Sequence, residues 1–220
     1  MKKLALALVA STVALSAANA NIATGFYLGA TAGYGATTGK ISGSTNRAAV
    51  AGNADVGSGA ANIGLIGGYG WVSGCMYYGG EIGYSFENTK ISNNLGGTGK
   101  VELKRNGYFN AALRGGYLFT PNTMFYVRLG IQWGKWNLKD NNSNLFGFTN
   151  ALPASGSKNR VSFTPGLGLE TAIHKNVYLR VEYTYEFGPS VRAKASTGNA
   201  FTNVGTIRSQ SGKVGLAYKF

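Results

Sequence analysis

Apolar and polar residues alternate with a period of two along most of this 220-residue chain. The clearest stretch is 177–187, where Leu179, Val181 and Tyr183 lie on one face and Arg180 and Glu182 lie on the other. This alternation is typical of a β-strand with two different faces. No soluble core accounts simply for both faces, whereas an apolar face against lipid and a charged face toward a lumen does.

Seven further stretches repeat this alternation. They are 25–35, 62–72, 77–87, 108–119, 124–136, 161–173 and 206–220. Eight is an even number of strands, as bacterial single-chain membrane barrels have. Unpaired strand edges are costly in a bilayer, so the strands must close on each other. The predicted fold class is all-β: a closed eight-stranded antiparallel transmembrane β-barrel of up-and-down topology.

The connections between these stretches are alternately long and short. Tight turns are predicted at 73–76, 120–123 and 174–176, which contain turn-forming residues. The longer connections are 36–59, 89–103, 139–157 and 188–205. Membrane barrels have short periplasmic turns and longer extracellular loops. Both termini are therefore predicted to be periplasmic.

The first 20 residues have the features of a secretory signal peptide. Lys2 and Lys3 precede an apolar stretch at 4–17, and Ala18-Asn19-Ala20 matches a cleavage site. The alternative is a membrane anchor, but the apolar stretch is shorter than the roughly 20 residues a spanning helix needs. We expect a signal peptide at 1–20, a single barrel domain at 21–220, and export to the bacterial outer membrane.

The composition agrees with this interpretation. The chain has 34 glycines, 13 tyrosines and 11 phenylalanines but only 4 prolines; aromatic girdles and interior glycines are usual in membrane barrels. The single Cys75 cannot form an intrachain disulfide. The net charge of +13, or +11 without Lys2 and Lys3, favours anionic partners. Outer-membrane lipid and lipopolysaccharide are the nearest ones.

Several motifs resemble the small eight-stranded outer-membrane β-barrel family, which includes the transmembrane domain of outer-membrane protein A and porin-like surface antigens of proteobacteria. They are Gly25-Phe26-Tyr27-Leu28-Gly29, the Gly-Gly-Tyr units at 67–69 and 115–117, and the ending at 215–220. The resemblance implies insertion by the barrel-assembly machinery, which reads a C-terminal aromatic strand. Leu216, Tyr218 and Phe220 match that assembly signal.

The predicted interior contains acidic and basic residues together. This lumen charge network comprises Glu81, Arg114, Arg128, Glu170, Arg180, Glu182 and Glu186. The lumen of an eight-stranded barrel is just wide enough for side chains to fill, and buried charges require partners. The network therefore predicts a plug of paired charges.

The alternative is a small gated pore in which the same pairs exchange partners. Inward glycines would leave room for water along the axis of such a pore. The residues concerned are Gly64, Gly68, Gly83, Gly116, Gly130, Gly166, Gly168 and Gly215.

No catalytic, cofactor or metal site is predicted. His174 is the only histidine and falls in a predicted periplasmic turn, which leaves no basis for an acid–base relay. One histidine and one cysteine, a hundred residues apart, do not have metal-ligand spacing. Nucleic acid is not an expected partner because the signal peptide exports the chain.

Basic residues are frequent in the predicted outer loops. The candidates for binding an anionic or host ligand are Lys40, Arg47, Lys100, Lys104, Arg105, Lys158, Arg160, Arg192 and Lys194. The alternative is a solvated rim against lipopolysaccharide. The sequence favours a monomeric structural and surface-interaction protein, not an enzyme. The alternative function is an anion-favouring channel for small solutes.

Overall fold

The computed structural model describes residues 21–44, 53–94, 100–140, 155–188, 191–194 and 201–220. These residues contain nine β-strands. They are β1 (Gly25–Ser44), β2 (Asn53–Ser73), β3 (Met76–Asn94), β4 (Lys100–Thr120), β5 (Thr123–Asp140), β6 (Ser155–His174), β7 (Val177–Phe187), β8 (Val191–Lys194) and β9 (Phe201–Lys219). Across the described ranges, no helix has the length and apolar character needed to cross a membrane.

The strands form one closed antiparallel sheet. Each strand from β1 to β7 pairs with the next along the chain, and β9 pairs with both β7 and β1. The short β8 pairs with β9 in the register that β7 uses, so it continues the line of β7. The prediction of a closed eight-stranded antiparallel barrel is confirmed. The predicted signal peptide at 1–20 lies outside the described residues.

The two ends of the barrel differ. The end that contains residues 21–24, Phe220 and the three tight turns is called the turn end, and the opposite end is called the loop end. Each tight turn has two central residues, 74–75, 121–122 or 175–176, which confirms the predicted turns. Gly74 has a φ of 60°, a left-handed conformation that favours glycine.

The strands are longer than the alternation predicted. Most of the predicted loop residues within the described ranges lie on strands: β1 continues to Ser44, β2 begins at Asn53, and β6 begins at Ser155. A strand outside a bilayer can be polar on both faces, so its period-two signal disappears although its backbone still pairs. The connections at the loop end are therefore shorter than the alternation predicted.

The predicted faces of the strands are confirmed where side chains are described. Phe26, Ile82 and Leu113 point outward and are 67%, 70% and 70% exposed, whereas Tyr126 and Arg114 point inward and are 0% and 2% exposed. The buried core is thus the barrel interior, and the apolar surface is the outer wall.

An irregularity in β4 changes which residues point inward. The register of β4 with β5 shifts between Arg105 and Tyr108, and that of β3 with β4 shifts between Phe86 and Thr89. Such a bulge reorients the side chains that follow it. Arg105 and Tyr108 consequently both lie inside, at 3% exposure each, although their numbers differ in parity.

Candidate functional site

Six charged side chains meet in the middle of the barrel. They come from β3 to β7 and form the central ion cluster: Glu81, Arg114, Arg128, Glu170, Arg180 and Glu182. The alternation places each of them inward, and the register makes Glu170 and Arg180 directly cross-strand neighbours. Three carboxylates and three guanidinium groups leave the central ion cluster without net charge.

Arg180 joins two of the carboxylates. Its Nη1 lies 2.5 Å from Glu81 Oε2, and its Nε donates to Glu170 Oε2 at 3.0 Å. Arg114 donates to the same Glu170 oxygen at 2.7 Å, and its Nη1 lies 3.8 Å from Glu81 Oε2. Charge-assisted hydrogen bonds of this kind are stronger than neutral ones.

Arg128 is held less closely by carboxylates. Its Nε lies 3.7 Å from Glu182 Oε1 and 3.9 Å from Glu81 Oε1. Its Nη2 donates to Asn110 Oδ1 at 3.0 Å. Arg128 therefore lies between two carboxylates at nearly equal distances, and an amide provides its closest hydrogen bond among these contacts.

Tyrosines from two strands, β1 and β5, complete the central ion cluster. Tyr27 donates to Glu81 at 2.9 Å, and Tyr126 donates to Glu182 at 3.0 Å. The guanidinium of Arg114 lies 3.9 Å from the centre of the Tyr126 ring, within the range of a cation–π contact. The charges are thus surrounded by hydroxyl donors and aromatic faces.

These tyrosine rings fill the space left by inward glycines. A methyl group added at Gly68 would come within 2.6 Å of the Tyr27 hydroxyl. One added at Gly168 would come within 2.5 Å of the Tyr126 hydroxyl. The expectation that inward glycines leave room for water is wrong at these two positions, because aromatic rings from the neighbouring strands lie there.

A second ion group lies nearer the loop end. Arg105 donates from Nη1 to Glu186 at 2.9 Å and from Nη2 to Glu87 at 3.0 Å. Its guanidinium lies 4.6 Å from the ring centre of Tyr108 and 4.7 Å from that of Trp136. Glu186, expected within the one network, therefore pairs in this separate group.

The central ion cluster borders a small cavity. A cavity of about 10 Å³ adjoins Arg128, Glu182 and Lys213, which is room for about one water molecule. The Lys213 amine donates to the Tyr108 hydroxyl at 3.2 Å.

The prediction for Arg105 as a loop residue is wrong. The bulge in β4 turns its side chain into the barrel, where it is buried against Glu87 and Glu186. The neighbouring Asn106-Gly107 is the sequence signal that an irregularity was possible there. Regular alternation extended backward from the inward Tyr108 would place Arg105 on the outer face, so the pattern alone could not predict its burial.

The other candidate loop residues lie mainly on strands. Lys104 and Arg160 are half-buried on β4 and β6. The remaining described candidates also lie on strands: Lys40 on β1, Lys100 on β4, Lys158 on β6, and Arg192 and Lys194 on β8. Arg47 lies outside the described residues.

The proposed assembly residues share the outer face of β9 and its end. Leu216, Tyr218 and Phe220 are 52%, 50% and 70% exposed. The rings of Tyr218 and Phe220 are 5.2 Å apart in an edge-to-face arrangement. Phe220 also donates its backbone N–H to the carbonyl of Phe26 at 2.9 Å, which ties the chain end to β1.

Groups that could support catalysis or metal binding are far from these clusters. His174, the last residue of β6, and Cys75, in the β2–β3 turn, are both exposed at the turn end. In the part of the chain that the structure describes, no three His, Cys, Asp or Glu side chains are grouped to hold a metal ion.

A comparison with protein families matches residues 5–220 to the outer membrane protein beta-barrel domain. No match was found among curated protein sequences.

Three solved structures with similar folds are distant in sequence. The outer membrane protein OprG from Pseudomonas aeruginosa is 16% identical, with a TM-score of 0.57, over 91% of this chain and 98% of that one. The outer membrane protease OmpT from Escherichia coli is 10% identical, with a TM-score of 0.50, over 88% and 97%. Ail of Yersinia pestis, the attachment invasion locus protein, solved with the heparin analogue sucrose octasulfate, is 14% identical, with a TM-score of 0.46, over 90% and 100%.

Proposed function

The chain belongs to the family of outer membrane protein beta-barrel domains, and from this premise we propose that it is a structural and surface-interaction protein with a sealed interior. In this proposal the turn end faces the periplasm and the loop end faces outward, as short turns and longer loops do in such barrels. Outer-membrane lipid and lipopolysaccharide surround the apolar wall.

The observation that carries the sealed interior is the central ion cluster with its tyrosines. Arg114 and Arg180 are each bound to buried carboxylates, and the adjoining cavity measures about 10 Å³. Opening a path would separate buried charges from their partners, and an unpaired buried charge is costly. Small solutes would therefore find no continuous aqueous route.

Single-channel recording in a planar bilayer tests the sealed interior. The protein is reconstituted from preparations whose unheated gel band migrates as a folded barrel. We expect no discrete openings between −150 and +150 mV. At these limits, moving one elementary charge across the bilayer changes its energy by roughly 3 kcal/mol. Steady openings in wild type would contradict the sealed interior.

Arg128 favours one alternative function, a small anion-favouring channel. Its Nε is 3.7 Å from one carboxylate and 3.9 Å from another, so it has two alternative partners at little difference in distance. If openings occur and Arg128→Met alters their conductance while exposed Arg208→Met does not, the channel function replaces the sealed barrel.

The surface-interaction role rests on where the charges lie. Five of the eight acidic residues of the chain are buried in the two interior ion groups. The remaining three, Asp55, Glu102 and Asp140, stand on loop-side parts of strands. Basic residues are more numerous on that side: Lys40, Lys90, Lys100, Lys104, Lys135, Lys139, Lys158, Arg160, Arg192, Lys194 and Arg208. A positive loop end attracts anionic lipid phosphates or an anionic host surface.

The proposal includes three further elements. Residues 1–20 are a cleaved signal peptide, the barrel-assembly machinery reads Leu216, Tyr218 and Phe220, and the barrel is a monomer. Catalysis is not part of the proposal because the chain's only histidine, His174, is exposed at the end of β6, at the opposite end from the basic surface.

A further inference from the structure

The four residues before β1 lie across the mouth of the barrel at the turn end. Ile22 is buried at 5% exposure, while Asn21, Ala23 and Thr24 on either side of it are exposed. A buried apolar side chain within an otherwise exposed segment indicates that this segment is docked, since undocked segments near a chain end seldom keep one side chain buried.

Four hydrogen bonds fix this segment to different parts of the rim. The Ile22 N–H donates to the carbonyl of Pro121 in the β4–β5 turn at 2.9 Å. The Tyr178 hydroxyl on β7 donates to the carbonyl of Asn21, also at 2.9 Å.

The other two bonds come from β9 and β2. The amine of Lys219 donates to the carbonyl of Ala23, and the N–H of Val72 donates to the Thr24 hydroxyl at 2.9 Å. Because the partners lie on separate strands or turns, the segment spans the opening and does not follow one edge.

The Ile22 side chain completes an apolar layer beneath the central ion cluster. Its other members are Tyr27, Ile66, Tyr77, Met124, Tyr126, Ala172, Tyr178 and Ala217. Tyr77 links the two layers, because its ring lies 5.3 Å from the Arg114 guanidinium. The apolar layer therefore separates the buried ion pairs from solvent at this end.

We propose that residues 21–24 form a stopper that closes the turn end and keeps water away from the central ion cluster. Ile22 anchors the stopper, and the four hydrogen bonds hold it across the mouth. Withdrawal of the stopper would expose the apolar layer. The stopper is independent of the proposed surface role, since a barrel with any loop-end function can have one.

Cysteine labelling from the turn end tests the stopper. The full-length gene carries Cys75→Ser to remove the exposed native thiol and Ala172→Cys as a reporter in the apolar layer, where Ala172 is 0% exposed. Protein is recovered from outer membranes, its first residue is identified by intact mass, and maleimide labelling is timed on preparations that migrate as folded barrels.

We expect Ile22→Asp to increase the labelling rate at residue 172 by at least about tenfold. Loss of a buried isoleucine side chain raises the equilibrium constant for local opening of the segment by about that factor or more. The matched control is Ala23→Asp, which adds the same charge at an exposed neighbour and should change the rate less than about twofold. If Ile22→Asp does not insert, Ile22→Ala replaces it, with the same expected direction.

A second reporter separates withdrawal of the stopper from general loosening. Ser209→Cys lies inside the loop-end half, where Ser209 accepts a hydrogen bond from Thr37 at 3.0 Å. Its labelling should not respond to the Ile22 variants. Equal labelling at residue 172 in the Ile22 and Ala23 variants, or an equal increase at residue 209, would overturn the proposal.

Discussion

At the scale of single residues, the interior is ordered by side chains with more than one partner. Glu170 accepts from Arg114 at 2.7 Å and from Arg180 at 3.0 Å through the same oxygen. Glu81 likewise accepts from Tyr27 and Arg180. Removing Arg180 therefore takes one partner from each of two carboxylates, and the cost of the substitution depends on the partners that remain.

Arg180→Met should be strongly destabilising. Glu81 would lose its closest cation and Glu170 would keep only Arg114, and breaking one side of a buried ion pair costs about 3–5 kcal/mol. The measurement is urea unfolding of the barrel in lipid vesicles, followed by the gel mobility of the folded form. Arg208→Met, which removes the same charge from an exposed position on β9, should change the free energy of unfolding by less than about 0.5 kcal/mol. Equal effects of the two substitutions would show that the buried pairing contributes little.

Gly168→Ala tests the packing of tyrosine on glycine. The added methyl group would meet the Tyr126 ring at 2.5 Å and the backbone carbonyl of Val181 at 2.7 Å, and the carbonyl cannot move aside. Overpacking of this kind costs about 1–3 kcal/mol. The control is Gly212→Ala on β9, where nothing lies within 4 Å of the new methyl group and the change should be neutral or slightly stabilising. The same urea measurement applies, and a neutral Gly168→Ala would mean that Tyr126 is free to shift.

At the scale of strands, β9 has the most demanding position. It pairs with β7 on one side and with β1 on the other, so the barrel closes only when this last strand is in place. Its outer face ends in the Tyr218–Phe220 aromatic pair, and its inner face carries Lys213 and Lys219. A strand that closes the sheet from the C-terminus is suited to be recognised during assembly.

Phe220→Ser should lower the amount of folded barrel in the outer membrane several-fold while leaving refolding into lipid vesicles nearly unchanged. The ring is 70% exposed and contributes little interior packing, so its loss should affect recognition more than stability. Phe119→Ser removes a comparable outward ring, 49% exposed, at the same end of β4. If both variants reach the membrane equally, Phe220 has no special part in assembly.

The strands also show how far alternation predicts this fold. It identified the faces of Val177–Phe187, because lipid on one side and a packed interior on the other impose a strict period of two. The tight turns were predicted from their turn-forming residues. Alternation underestimated strand length toward the loop end, where water on both sides removes that requirement. It also misplaced Arg105, since a bulge shifts the period without changing composition.

The candidate site was only partly predictable for the same reason. Inward charges such as Glu81 and Arg114 follow from the alternation of their own strands. The pairing of these charges depends on the register between strands. In the observed register, Glu186 pairs with Arg105 and does not belong to the central ion cluster. The docking of Ile22 has no periodic signal, because four residues before a strand are too few to have one.

At the scale of the whole molecule, charge is divided between the interior and the loop end. Most acidic residues are buried in the barrel interior. The loop-side parts of the strands therefore contain more basic than acidic residues. The loop end should behave as a positive surface over distances of about one Debye length, roughly 10 Å at 0.1 M salt.

Charge reversal at exposed positions tests this surface. Lys135→Glu with Arg208→Glu should weaken binding to a heparin-like polyanion by about three- to tenfold, since each exposed charge contributes up to about 1 kcal/mol. Binding should also weaken as salt rises. Two controls apply: the single variant Lys135→Glu, and Lys175→Glu, which makes the same reversal at an exposed position in a turn-end turn. Binding measured on immobilised polyanion that responds equally to Lys135→Glu and Lys175→Glu would refute a loop-end site.

The neutrality of the central ion cluster has an electrical consequence. A voltage across a bilayer acts on net charge, at about 2.3 kcal/mol per elementary charge per 100 mV. Three carboxylates and three guanidinium groups have no net charge together, so the field exerts almost no net force on the cluster. The field can only reorient the dipoles of the ion pairs. The central ion cluster should therefore be insensitive to membrane potential, and any voltage dependence in a recording would originate in charges outside this cluster.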